Sequence, residues 1–328
     1  MKITSWSMIF MPLTIALVIS CATENNRMRG KYEVPLPGAY PINDTLFCDQ
    51  TEITNFQWLE YLLWTERCFG VDSEAYKNAL PQDSIWHSFK CLKERDAEKY
   101  FRSPRYRNFP IVGLDQHQAR GFANWRSDRV FEYLLIKKGI LEFDVTQDFN
   151  RYFTIEKYFN GEHRVHSSTT DSTQFRTIVP NMSILYPEYR LPTLEDRLFI
   201  LDYVDSTEFL YHKTFPKKEA KAIARTPLFQ MAIQPCDTSK IVPVGSSHVV
   251  YAYPMRDVEE GVQEHGRISI LYNTRGNAAE WLEDPNLTVG GGWPHNVKYV
   301  MINDSIIATK ANAWTGFRCV AEWKKYKP

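Results

Sequence analysis

The sequence predicts an α+β, loop-rich fold, arranged as a single domain with insertions. Three observations point to it. Two helix starts carry a capping-box pattern, Thr54-x-x-Gln57 and Asp115-x-x-Gln118, each leading into apolar residues at helical spacing. Two short runs, Pro110-Ile-Val-Gly113 and Arg267-Ile-Ser-Ile-Leu-Tyr272, read as strands. The C-terminal part is paced by glycine and tryptophan: Asn273-Thr-Arg-Gly-Asn-Ala-Ala-Glu-Trp-Leu282, Gly290-Gly-Gly-Trp293 and Thr315-Gly-Phe-Arg-Cys-Val320. Such a pattern asks for sharp turns and for large anchors with one N–H to satisfy.

The elements follow in order. Residues 1–20 read as a bacterial lipoprotein signal: Lys2, an apolar run from Trp6 to Ile19, then Val18-Ile-Ser-Cys21. The run falls short of the roughly 20 apolar residues that span a bilayer, and Pro12 interrupts it. Cys21 is the expected lipidation site. Residues 21–44 are polar and then proline-rich, an expected tether, and the domain is expected over 45–328.

In the first helix Phe56, Leu59, Leu62 and Leu63 form the expected inward stripe. Trp58 and Tyr61 read as core by default, or as part of a partner face. The second helix is expected from Asp115 to about Lys138, with Ala119, Phe122, Ala123, Val130 and Leu134 inward and Gly139 as its stop. Residues 140–185 read as an insertion of mixed helix and loop. Its aromatics, Phe143, Phe149, Tyr152, Phe153, Tyr158 and Phe159, are too many to leave fully solvated. Thr193 is the expected cap of a third helix. Residues 205–240 show little periodicity, and Ile241-Val-Pro-Val-Gly245 reads as a turn.

Lys plus Arg equals Asp plus Glu, at 39 each, so composition gives no electrostatic case for nucleic acid. Lys217-Lys218 and Lys324-Lys325 read as solvated surface. The cysteines after Cys21 are Cys48, Cys68, Cys91, Cys236 and Cys319, widely spaced and odd in number. Their pairing cannot be read, and no Cys-x-x-Cys or Cys/His cluster suggests zinc. Neither a Ser-His-Asp arrangement nor a phosphate-cradling loop is evident.

Five blocks together resemble the formylglycine-generating-enzyme (sulfatase-modifying factor) superfamily. They are Glu52-Ile-Thr-Asn55, Phe109-Pro-Ile-Val-Gly113 with Ala123-Asn-Trp125, Tyr189-Arg-Leu-Pro-Thr193, Gly276-Asn-Ala-Ala-Glu-Trp281 with Gly290-Gly-Gly-Trp293, and Gly316-Phe-Arg318. The resemblance implies the formylglycine-generating-enzyme fold, related to C-type-lectin-like domains. Trp125-Arg-Ser-Asp-Arg-Val-Phe-Glu-Tyr133 is similar to the gliding-motility and type IX secretion lipoproteins of Bacteroidetes, the GldJ and GldK/PorK group.

The active relatives oxidise a substrate cysteine with copper held by two thiolates, a soft pair. Those thiolates lie between the glycine–tryptophan block and Gly-Phe-Arg, where this chain has no cysteine from Pro294 to Phe317. The resemblance thus implies a non-enzyme. A second branch uses three histidines and iron; here His163 and His166 are three apart, without a third nearby, and read as surface residues. The resemblance further implies a structural calcium held by carbonyls of Gly276 and Ala278 and the carboxylate of Glu280. The alternative is that Glu280 pairs with Arg275 or Arg318. It also makes Cys319 the first candidate for a disulfide.

The expected role is structural: an outer-membrane lipoprotein, on the periplasmic face, docked on other secretion or motility subunits. The expected docking residues are Trp293 and Trp314 with Phe149, Tyr152, Phe153, Tyr158 and Phe159 of the insertion. Two other classes stay open. One is a lectin-like glycan or peptidoglycan binder stacking sugars on Trp293 and Trp314. The other is a repurposed enzyme using His295, Asn296, Asp304 or Arg318.

Overall fold

The computed structural model describes residues 36–88, 100–145, 147–166, 175–214, 271–292 and 305–327. Strands β1 (Ala39–Pro41), β2 (Phe47–Asp49), β5 (Leu185–Arg190) and β10 (Val320–Lys325) form one antiparallel sheet in the order β1-β2-β10-β5. A second sheet has the order β8-β7-β6-β9, from β6 (Ala279–Trp281), β7 (Leu287–Val289), β8 (Ile306–Ile307) and β9 (Thr315–Gly316). β6 and β9 run parallel. The α+β expectation holds.

Helix α1 (Asn55–Phe69) starts at Thr54 with the capping box complete: Gln57 N donates to Thr54 Oγ1, and Thr54 N donates to Gln57 Oε1. Glu74–Ala79 is a short helix α2, and α3 spans Gln116–Lys137. Asp115 caps α3 in the same reciprocal way with Gln118. All five residues expected to face inward from α3 are buried. α4 (Ile155–Phe159) and the hairpin of β3 (Arg164–His166) and β4 (Phe175–Thr177) lie in the insertion. α5 (Leu194–Thr214) starts at Thr193, whose Oγ1 accepts from Asp196 N. No helix among the described residues is long and apolar enough to cross a membrane.

Several expectations need correction. Residues 36–44 belong to the fold: Leu36 is in the core and β1 completes the first sheet. Proline is accommodated there because β1 is an edge strand. On α1 Leu62 and Trp58 are in the core, Trp58 Nε1 donating to Ala79 O at 3.0 Å, but Leu63, expected to face inward, is 64% exposed. Residues 110–113 are buried, but only Pro110 makes a bridge, to Thr54, and Gly113 turns the chain with a φ of 82°. The insertion contains a hairpin as well as helix and loop. Of the expected strand 267–272, only Leu271 and Tyr272 are described, and they form no strand. The turn at 241–245 lies outside the described residues.

One core cluster joins Trp58, Phe122, Trp281 and Phe317 between α1, α3 and the two sheets. A separate cluster in the insertion joins Phe131, Phe153, Tyr158 and Phe159. A third packs α5 on the other side of the first sheet, through Ile200 and Val204 against Cys48 and Val320.

Candidate functional site

The sequence blocks converge on a buried polar centre between the two sheets. Its local cause is the turn before β6. Asn273 (φ 52°), Gly276 (φ 82°) and Asn277 (φ 60°) all adopt left-handed backbone, which glycine accepts freely and asparagine tolerates best among the rest. That conformation turns both asparagine amides onto one carboxylate. Asn277 Nδ2 donates to Glu52 Oε1 at 2.8 Å and Asn273 Nδ2 to Glu52 Oε2 at 3.1 Å. Burial pushes the Glu52 carboxyl up to about 7, with the Arg318 charge opposing and the Glu280 charge adding to the shift.

Arg318 sits at the middle, fully buried. Its Nε donates to Glu280 Oε1 at 2.6 Å, its Nη1 to Asp49 O at 3.1 Å and its Nη2 to Tyr272 O at 2.8 Å. Burial alone would lower its pKa, but the Glu280 charge reverses the shift and raises it. Arg197 from α5 donates to Thr274 O and approaches Glu280 Oε2 at 3.7 Å. Asp49 Oδ2 accepts from Arg126 Nη1 at 2.6 Å and from Cys319 N at 2.9 Å, while the Arg126 guanidinium covers the Tyr189 ring. Trp281 Nε1 donates to Leu114 O at 3.1 Å, tying β6 to the start of α3. Four of the five blocks therefore supply a strut of the frame, and the remaining one is flanked by Leu114 and Arg126, which join it.

Calcium does not fit this donor set. Glu280 faces two guanidinium groups, whereas a calcium site needs anionic and neutral oxygens around the ion. The alternative partner, Arg318, is the one the structure supplies; Arg275 pairs instead with Asp205. Gly276 and Ala278 serve the turn: Gly276 N donates to Gly290 O at 2.8 Å and Ala278 is buried. A copper dithiolate does not fit the described thiols either. Cys48, Cys68 and Cys319 are all free and buried. Cys48 packs with Ile200 and Val204, Cys319 with Trp58 and Phe317, so the two lie on opposite faces of one sheet. The same parity denies Cys319 a disulfide with Cys48. Burial pushes the Cys48 thiol up to about 12, away from thiolate character.

The block at Trp125–Tyr133 has a role that its sequence does not announce. Asp128 Oδ1 accepts from Ile155 N at 2.8 Å, capping α4 from α3. Arg129 donates to Glu132 Oε2 at 2.5 Å, to Gln147 Oε1 at 3.2 Å and to Phe153 O. Gln147 Nε2 closes the ring by donating to Glu132 Oε1. This clamp holds the insertion against α3.

The expected docking aromatics divide. Phe153, Tyr158 and Phe159 are buried in the insertion's own core, because Phe131, Ile178 and Tyr186 cover them; they present no surface. Tyr152 is half-buried, edge-on to Trp64 and Phe69, with Lys157 Nζ 3.3 Å from its ring centre. Phe149 is 64% exposed and rests its edge on Phe69. Trp314 is half-buried beside Gly292, and Trp293, His295, Asn296 and Asp304 lie outside the described residues. His163 is buried with Nδ1 unsatisfied among the described contacts. It stands just before β3.

A family model described as the sulfatase-modifying factor enzyme 1-like domain matches residues 37–323. No curated protein matches the chain. Among solved structures, the crystal structure of CarF aligns with a TM-score of 0.34 and 15% identity, covering 84% of this chain and 86% of that one.

Proposed function

Because the chain belongs to the family of sulfatase-modifying factor enzyme 1-like domains, we propose that it is a non-catalytic member with a structural role. In this reading it is a lipoprotein acylated at Cys21 and held at the periplasmic face of the outer membrane. It serves there as a protein-interaction subunit of a gliding-motility or type IX secretion assembly.

The observation that carries the reading is the clamp from α3. Asp128, Arg129 and Glu132, all within the block that resembles the motility and secretion lipoproteins, fasten an insertion that exposes Phe143, Val145 and Phe149. A rigidly held aromatic surface loses little entropy on docking, which suits a permanent subunit contact. The lack of cysteine between Pro294 and Phe317 supports the non-catalytic half. So does the engagement of Arg318, Glu280 and Glu52 with one another's neighbours in the frame.

The test is cross-linked affinity purification of the tagged protein from its own outer membrane. The reading expects secretion or motility subunits in fixed ratio. Recovery of the protein alone would remove its main support.

A further inference from the structure

The outer face of α5 carries apolar and acidic residues that neither sheet uses. We propose that this face is an interaction surface for a basic amphipathic helix of a partner protein, one with an apolar stripe and Lys or Arg beside it. The surface lies across the first sheet from the clamped insertion. α5 packs through Ile200 and Val204 against Cys48 and Val320, whereas α3, which holds the insertion, packs on the face of Cys319 and Ala321.

Helix geometry places the residues. At about 100° per residue, Leu194, Glu195, Leu198, Phe199, Asp202 and Asp205 fall within one arc of about 140°. All six are exposed, while Ile200, Leu201 and Val204 opposite them are buried. Leu198 and Phe199 stand side by side, 53% and 48% exposed, with Leu194 one turn before Leu198. Glu195 lies one turn before this pair and Asp202 one turn after it, each three or four residues from both members.

The free charges around the pair are of one sign. Neither Glu195 nor Asp202 meets a cation among the described residues. Asp284 adds a third carboxylate beside Leu194, its Oδ2 accepting from Leu194 N at 2.9 Å. The neighbouring guanidinium groups are engaged. Arg275 donates to both carboxylate oxygens of Asp205, at 2.8 and 3.0 Å, Arg120 meets Glu283 at 2.9 Å, and Arg197 turns inward toward Glu280. An apolar pair with an unpaired acid one turn away on either side has the layout of a helix seam, in which the apolar residues pack and the flanking charges choose the partner. A helix with Lys or Arg beside its apolar stripe complements it. The same acids repel phosphate, so an anionic bilayer and a nucleic acid do not fit. Two copies meeting through this face would set acid against acid.

The probe is a fluorescein-labelled synthetic amphipathic peptide of leucine and lysine at helical spacing, beside a counterpart with glutamate for lysine. Binding to the full chain carrying Cys21→Ser is followed by fluorescence anisotropy. The expected result is binding of the lysine peptide alone, weakening as NaCl is raised. Leu198→Ser combined with Phe199→Ser should weaken it roughly tenfold or more. Glu195→Gln and Asp202→Asn should each weaken it roughly two- to fivefold. Thermal transitions should stay unchanged, since all four positions are on the surface. Leu63→Ser combined with Glu142→Gln, an exposed apolar residue and an exposed acid elsewhere, should leave binding as it is. The inference is overturned if neither peptide binds, if both bind alike, or if the α5 variants lose no more than this control. Two further measurements bear on other occupants. In a background that adds Cys91→Ser and Cys236→Ser, the thiol of Leu198→Cys should react freely with maleimide before peptide is added; a protected thiol would mean that the protein's own chain covers the face. Self-association abolished by Phe199→Ser would put a second copy there. Either outcome overturns the inference. None of these readouts involves the insertion or the lipid anchor, so failure here leaves the proposed subunit role standing, and the reverse.

Discussion

Arg318 donates from Nε to Glu280 Oε1 across 2.6 Å, and both side chains are closed off from water. The pair locks the last segment before β10 to β6, so it joins the two sheets at their centre. Burying two charges is costly, and the geometry offsets that cost through the further carbonyls that Arg318 meets on Asp49, Tyr272 and Asn273.

Removing one partner strands the other. Arg318→Met is expected to lower stability by about 3–5 kcal/mol, because Glu280 keeps only the longer contact to Arg197. Glu280→Gln should also destabilise, and the double variant should lose less than the sum of the two. Urea denaturation of the three variants checks both statements.

Glu52 makes stability depend on pH. Its carboxyl titrates at about 7 in the folded protein, above the ordinary glutamate value. The native state therefore holds a proton that the unfolded chain releases between about pH 4.5 and 7. This contribution is full below that window and is lost as pH rises through it, by about 3 kcal/mol in all. Two half-buried carboxyls, Asp128 and Glu60, are also shifted up into this range, so the comparison must be a difference. Glu52→Gln should flatten the pH dependence between about pH 5 and 8 relative to the parent; an unchanged slope would assign it to the other acids.

The helix starts were legible because a cap is local: Thr54, Asp115 and Thr193 each meet a partner three residues on. The Glu52 clamp was not, since its amides come from Asn273 and Asn277, more than two hundred residues away in sequence. A signal did exist: two asparagines bracketing Gly276 mark a left-handed turn, and a polar side chain there needs somewhere to go. Trp58 and Leu63 could not be ranked by spacing alone, because both lie near the edge of the apolar stripe and only packing against Phe122 and Phe317 decides. In the insertion, aromatic content signalled burial without saying which rings go inside. Phe131 and Tyr186 made that choice from outside the aromatic run.

Arg129 is expected to hold the insertion by shape as well as charge. Its fork reaches Glu132, Gln147 and Phe153 O together, which a lysine ammonium cannot match. Arg129→Lys should reduce amide exchange protection over residues 147–159 while α1 and the first sheet keep theirs. Uniform loss across the domain would show that the insertion is not a separately fastened unit.

Gly316 and Gly121 should respond oppositely to alanine. A Cβ on Gly316 would lie 2.5 Å from Ile111 O, so the parallel pairing of β6 and β9 must shift, at about 1–3 kcal/mol or more. Gly121 lies inside α3, and its added Cβ would meet only the Tyr61 hydroxyl at 3.4 Å. Gly121→Ala is therefore expected to be neutral or to stabilise by up to about 1 kcal/mol. Thermal melts of the two variants read the difference.

The central claim is that the clamped insertion is the face by which this domain joins an assembly. A photoreactive benzoylphenylalanine placed at Phe149, with one at Leu63 as an equally exposed control, tests it in the intact outer membrane. The account predicts that irradiation joins position 149 to one defined secretion or motility subunit and that position 63 gives no such product. A position 149 that captures nothing, or the same product from both positions, would contradict it.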